Sequence, residues 1–91
     1  MYDIIDINPR INERHPDINE SDVKIAWKNA PIIIERSGGS LPSAVLVAVG
    51  FDARSRLIEM VGAVNRDGVV HIFHAMTPPS KRTLRELGLS R

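Results

Sequence analysis

The chain has 91 residues and no cysteine, and 43% of it is apolar against 25% charged. That length makes one domain, spanning residues 1–91, with one modest core, and the composition is that of a globular chain rather than a disordered one. The lack of cysteine excludes a disulfide framework, a thiolate nucleophile and a cysteine-ligated metal. Net charge is only +1, but residues 1–35 carry four bases and seven acids, whereas residues 36–91 carry eight bases and four acids. A balance of −3 followed by +4 predicts an anion-binding face in the second half; the plainer reading is a solvated surface of uneven charge. Met1–Asp6 has no positive leader, and no apolar run approaches the roughly 18 residues that cross a bilayer. The expected location is the cytoplasm.

Along the chain, Tyr2–Ile7 reads as an extended segment or a short edge strand. Asn8-Pro9 starts a short helix, with Asn8 as cap and Pro9 in its first position, ending near Arg14 because Pro16 pushes His15 away from helical geometry. Asn19 caps a second helix, in which Val23, Ala26, Trp27 and Ala30 form one apolar stripe. Pro31 ends it. Ile32–Ile34 is the first main strand and an edge. Ser37–Pro42 is a loop; without a lysine and a following helix it is not a phosphate-binding P-loop.

Ala44–Phe51 and Arg56–Val64 are the next strands, separated by a turn at residues 52–55. Asp67-Gly68 is a strong hairpin signal, and Val69–Met76 is the last strand. Thr77 caps a closing helix with Pro78 at its first position, and Gly88 ends it. Short turns require antiparallel neighbours. The expected fold is therefore α+β: two N-terminal helices, a four-stranded antiparallel meander and a C-terminal helix, with the helices on one face.

Chemistry centres on the last strand. Imidazole titrates near neutral pH and serves as a general acid or base. His71 and His74 are three residues apart and so point to opposite faces of a regular strand. With Asp67 and Gly68 as the two central turn residues, Val61 pairs with His74 and Glu59 with Met76, so that Glu59 and His74 share a face. A one-residue bulge would bring His71 there instead; the simple turn favours His74. The catalytic candidates are His74 and Glu59. A histidine in an apolar strand is as often a partly buried structural residue, and a strand carboxylate often meets an arginine. His15 reads as a helix C-terminal capping group. Arg54 and Arg56 at one hairpin, with Lys81 and Arg82 on the last helix, are the candidate RNA-backbone contacts. Lys81 and Arg85 share a helix face, and Arg85 and Arg66 read as ordinary surface charge. No metal-ligand spacing is present, and no cofactor is expected.

Three stretches resemble the BrnT-type ribonuclease toxins, relatives of RelE, over roughly residues 10–87. Arg14-His15-Pro16-Asp17-Ile18 is similar to the basic-His-Gly turn between that family's first helices. Val47-Ala48-Val49-Gly50, followed by Arg54-Ser55-Arg56-Leu57, is similar to its second strand and hairpin. Asp67-Gly68 followed by Ile72-Phe73-His74-Ala75-Met76 is similar to its last strand, which commonly ends in Ser-Ala-Arg. Here His74 stands for the serine and Met76 for the arginine. The resemblance implies a RelE-like fold, metal-independent RNA cleavage as the toxin of a type II toxin–antitoxin pair, and a co-encoded antitoxin as partner. The alternative is a non-catalytic module that binds protein or RNA.

Overall fold

The computed structural model describes residues 2–36 and 44–89. The loop expected at Ser37–Pro42 lies outside them. The elements run β1 (Ile5–Ile7), α1 (Arg10–Arg14), α2 (Glu20–Lys28), β2 (Ile32–Glu35), β3 (Ala44–Phe51), β4 (Leu57–Val64), β5 (Val70–Met76) and α3 (Lys81–Glu86). The strands form one mixed sheet in the order β1-β5-β4-β3-β2.

The expected antiparallel meander is present as β2 to β5, and β2 is an edge. The sheet nevertheless has a fifth strand. β1 lies parallel to β5, pairing Ile5 with Val70 and Ile7 with Ile72. Bonds of 2.9 Å from Val70 N–H to the Ile4 carbonyl and from Asn8 N–H to the Ile72 carbonyl fix it. Ile5 and Ile7 pack on the core. Their alternation with exposed Asp6 is the period of a half-buried strand, and the pairing covers an edge that β5 would otherwise leave open.

α1 and α2 cover one face. Asn19 accepts from Asp22 N–H at 3.1 Å while the Asp22 carboxylate accepts from Asn19 N–H at 2.9 Å, a reciprocal cap. The stripe it starts buries Val23, Ala26 and Trp27 against Leu46 and Ala48 of β3 and Ile58 and Met60 of β4. Trp27 Nε1 donates to the Tyr2 carbonyl at 2.8 Å, so the one polar atom of this core anchor is satisfied.

The expectation that all helices share that face is corrected. α3 sits on the opposite one, the face of Val47, Val49, Glu59 and Val61. Two contacts hold it: Arg36, just past β2, forks onto Glu86 at 2.8 and 2.9 Å, and Ser80 bonds Glu59. Its start is corrected too. Ser80, not Thr77, caps α3, accepting from Thr83 N–H at 3.2 Å. Thr77 instead donates its hydroxyl to the Leu57 carbonyl at 2.7 Å, and two prolines separate it from the helix. Gly88 ends α3 with φ 72°, and Leu89 N–H returns to the Leu84 carbonyl at 2.8 Å, the αL closure expected of a glycine there.

The β4–β5 hairpin holds the correction that matters most for the site. Gly68 takes φ 81°, and Asn65 and Val69 close a three-residue loop rather than a two-residue one. Pairing therefore starts one residue out of the expected register, with Val64 opposite Val70 and Gly62 opposite Ile72. It then shifts between Gly62 and Val61, after which Val61 faces His74 and Glu59 faces Met76 as expected. Phe73 is the extra residue of this bulge. Val70, Ile72 and Ala75 all belong to the core, whereas His71, Phe73, His74 and Met76 do not. The expectation that His71 and His74 oppose each other fails, because one added residue reverses strand parity.

Candidate active site

Glu59 is 4% exposed, a charge buried in the middle of a sheet. Such a group survives only if its oxygens are satisfied, and both are. Oε1 accepts from the Ser80 backbone N–H and hydroxyl, each at 2.9 Å. Oε2 meets His74 Nε2 at 2.6 Å. Burial alone would push the carboxyl up; the Ser80 N–H, the Thr83 hydroxyl, the His74 ring and the Ser80 hydroxyl outweigh it and hold Glu59 below the ordinary carboxylate range. An ionised carboxylate only accepts, so Nε2 of His74 carries the proton of that bond. In the neutral ring Nδ1 then keeps a lone pair, and the ring is one-third exposed.

His74 forms a wall shared by two open grooves. One, of about 400 Å³, is lined by Arg14, Arg36, Glu59, Phe73, Met76 and Arg82, among others. The other, of about 390 Å³, is lined by Arg10, Arg14, His15 and Phe73 beside His74. Arg36 is neutralised by Glu86, which Arg82 approaches at 3.6 Å. Arg10 and Arg14 have no carboxylate partner among the described residues. Met76 stands where the resemblance implies an arginine, and the cations around it come from α1, α3 and the end of β2.

Of the residues selected from sequence, Glu59, His74 and Arg82 come together. Lys81 is exposed on α3 and does not line the groove. Arg54 and Arg56 lie elsewhere, turned toward α2. Arg54 bonds Asp22 at 3.0 Å and the Asp17 carbonyl at 2.9 Å. Arg56 bonds Asp52 at 2.9 Å, with Asp17 and Asp22 each at 3.3 Å. Two guanidinium groups among three carboxylates clasp the 52–55 turn to the start of α2, away from the His74 grooves. The structure adds Arg10, Arg14 and His15. The two arginines are four residues apart on one short helix, a spacing that puts them on one face, and that was the signal available for them. Among the described residues no three His, Cys, Asp or Glu side chains are grouped to hold a metal ion, and no helix is long and apolar enough to cross a membrane.

The carboxylates give a pH prediction. Besides Glu59, burial pushes Asp52 up but bonds from Arg56 and Arg54 bring it below the ordinary range, and the Arg36 fork lowers Glu86. A folded-state value below the unfolded one means that the unfolded chain binds more protons in between, so stability is complete above the unfolded value and drains away as pH falls through the folded one. The melting temperature should be level near neutrality and drop once pH passes below about 4.5, the ordinary glutamate value. A melting temperature that holds steady down to about pH 3 would contradict these assignments.

No family model matches the chain, and neither a curated protein nor a solved structure matches it.

Proposed function

We propose that the chain is a RelE-like ribonuclease toxin of the BrnT type, cleaving RNA with its own side chains. One observation carries this reading: an imidazole pinned by a buried, ionised carboxylate within an arginine-lined groove. Cleavage of this kind needs no metal in principle. His74 Nδ1 takes the proton of a ribose 2′-hydroxyl, and the 2′-oxygen attacks the adjacent phosphorus. Arg14 and Arg82 stabilise the charge that gathers on the phosphorane oxygens. The bond from phosphorus to the 5′-oxygen breaks, leaving a 2′,3′-cyclic phosphate. The leaving oxygen takes its proton from the imidazolium of His15, the second imidazole of the paired grooves. Glu59 holds the His74 ring and its tautomer.

A toxin needs neutralising, and a co-encoded antitoxin is the expected partner. β2, an edge strand among the described residues, offers it a strand to pair with. The competing reading, a non-catalytic module that binds RNA or protein, draws on Met76, which cannot do the work of an arginine. Induced expression separates the two. A nuclease toxin arrests growth with fragmented RNA, and co-expression of the neighbouring gene relieves the arrest. Normal growth with intact RNA favours the module.

A further inference from the structure

We propose that Phe73 is a stacking platform for a base of single-stranded RNA, and that the strand crosses it from the Arg10 groove to the Arg82 groove. This rests on the reading above that the ligand is RNA, and it adds the form of that RNA and the residue that selects it.

Phe73 is the residue the bulge inserts between Ile72 and His74. In an unbulged strand His74 would turn toward the core, as Ile72 does; the added residue sets two successive side chains outward instead. Bulges re-aim side chains in this way and are over-represented beside active sites. The ring is 47% exposed. Other large apolar residues are exposed as well, namely Ile4, Ile25, Phe51 and Leu89, but Phe73 stands at the wall between both arginine grooves, next to the proposed base. Each groove lies in the size range of small-ligand pockets, so each suits about one nucleotide.

The surroundings select the ligand. Arg10, Arg14 and Arg82 flank the ring, while of the apolar residues that line the grooves with it Ile11, Val61 and Ala75 are buried and Met76 is half-buried. Phe73 with a half-buried Met76 is less than the broad apolar patch that the core of a protein–protein interface would require. An isolated aromatic face between cations suits a flexible polyanion whose bases are free: the ring stacks, the guanidinium groups follow the backbone. A duplex keeps its base faces buried in its own stack and cannot use the ring.

The test uses a labelled ten-nucleotide 2′-O-methyl single strand, which cannot be cleaved, and a duplex of the same length. The wild-type chain should bind the single strand at least tenfold more tightly than the duplex. Phe73→Ala should lose about fivefold to a hundredfold in single-strand affinity. The slope of affinity against salt should stay unchanged, since no charge is removed, and Arg14→Ala should reduce it. Phe73→Trp should keep the affinity, and its fluorescence should fall on binding against the constant background of buried Trp27. If Phe73→Ala binds as the wild type does, or the duplex binds as tightly as the single strand, the stacking inference is wrong while the RNA reading stands. If the wild type binds neither form, both fall.

Discussion

Gly50→Ala is expected to lower the melting temperature by about 12 °C or more, or to prevent folding. A Cβ at this position would lie 1.9 Å from the Ala26 carbonyl oxygen, 2.8 Å from its carbon and 3.2 Å from the Ala30 Cα. All three are backbone atoms of α2 and the residues that end it, so no flexible side chain can move aside. Gly50 is meanwhile held in β3 opposite Ile58. Relief requires α2 to lift from the sheet, which uncovers Val23, Ala26 and Trp27. Overpacking commonly costs about 1–3 kcal/mol and sometimes more; a contact against backbone belongs at or above the upper end. For a domain of this size each kcal/mol moves the melting temperature by roughly 4–8 °C. Gly68→Ala is the control. It meets open space at φ 81°, so the strain of left-handed backbone applies, roughly 1–2 kcal/mol, partly offset by the lower entropy of the unfolded chain. If the two variants melt within a few degrees of each other, the close approach of α2 to β3 is wrong.

Local signals carried much of the fold. The α2 stripe and its cap, β3 from Ala44 to Phe51, the edge position of β2 and the αL stop at Gly88 were all legible, because each depends on residues adjacent in sequence. The pairing of Glu59 with His74 was legible as well, although by a route the structure does not take. A three-residue loop moves the register by one, and the bulge at Phe73 moves it back. Neither has a separate signature: Asp67-Gly68 suits either loop, and a bulge is set by what the two strands bury. Ile72 and Ala75 both reach the core only if the strand slips between them. Charge was the least legible quantity. Counting along the chain placed a basic face in the second half, but in space Asp17 and Asp22 of the acidic half neutralise Arg54 and Arg56. Arg10 and Arg14, which have no carboxylate partner among the described residues, belong to that acidic half. Charge distribution over sequence says little about a surface until the fold decides which charges meet.

Glu59→Gln is expected to cut RNA cleavage by about 10²- to 10⁴-fold, the range assigned to general acid–base catalysis, with the fold retained. The amide keeps the shape of the side chain, and its oxygen still accepts from Ser80. Its nitrogen can only donate, and the atom it faces is His74 Nε2. The ring then carries its proton on Nδ1, the nitrogen proposed to act as base, and the lone pair sits on Nε2, occupied by the amide. On the proposed reading the carboxylate acts through the imidazole, by fixing its tautomer. Binding of an uncleavable strand should therefore change little while the rate falls. A loss confined to binding, with the rate unchanged at saturation, would contradict this role.

The claim on which the account rests is that His74 performs chemistry in the arginine groove. The most direct measurement is single-turnover cleavage of an end-labelled single-stranded RNA by the purified chain, with chelator present, comparing wild type, Glu59→Gln and His74→Ala. Melting curves confirm that each variant is folded. The account predicts wild-type fragments ending in 2′,3′-cyclic phosphate, a strongly slowed Glu59→Gln and no cleavage by His74→Ala. A folded His74→Ala that cleaves at the wild-type rate, or a wild type that leaves the RNA intact, would contradict it.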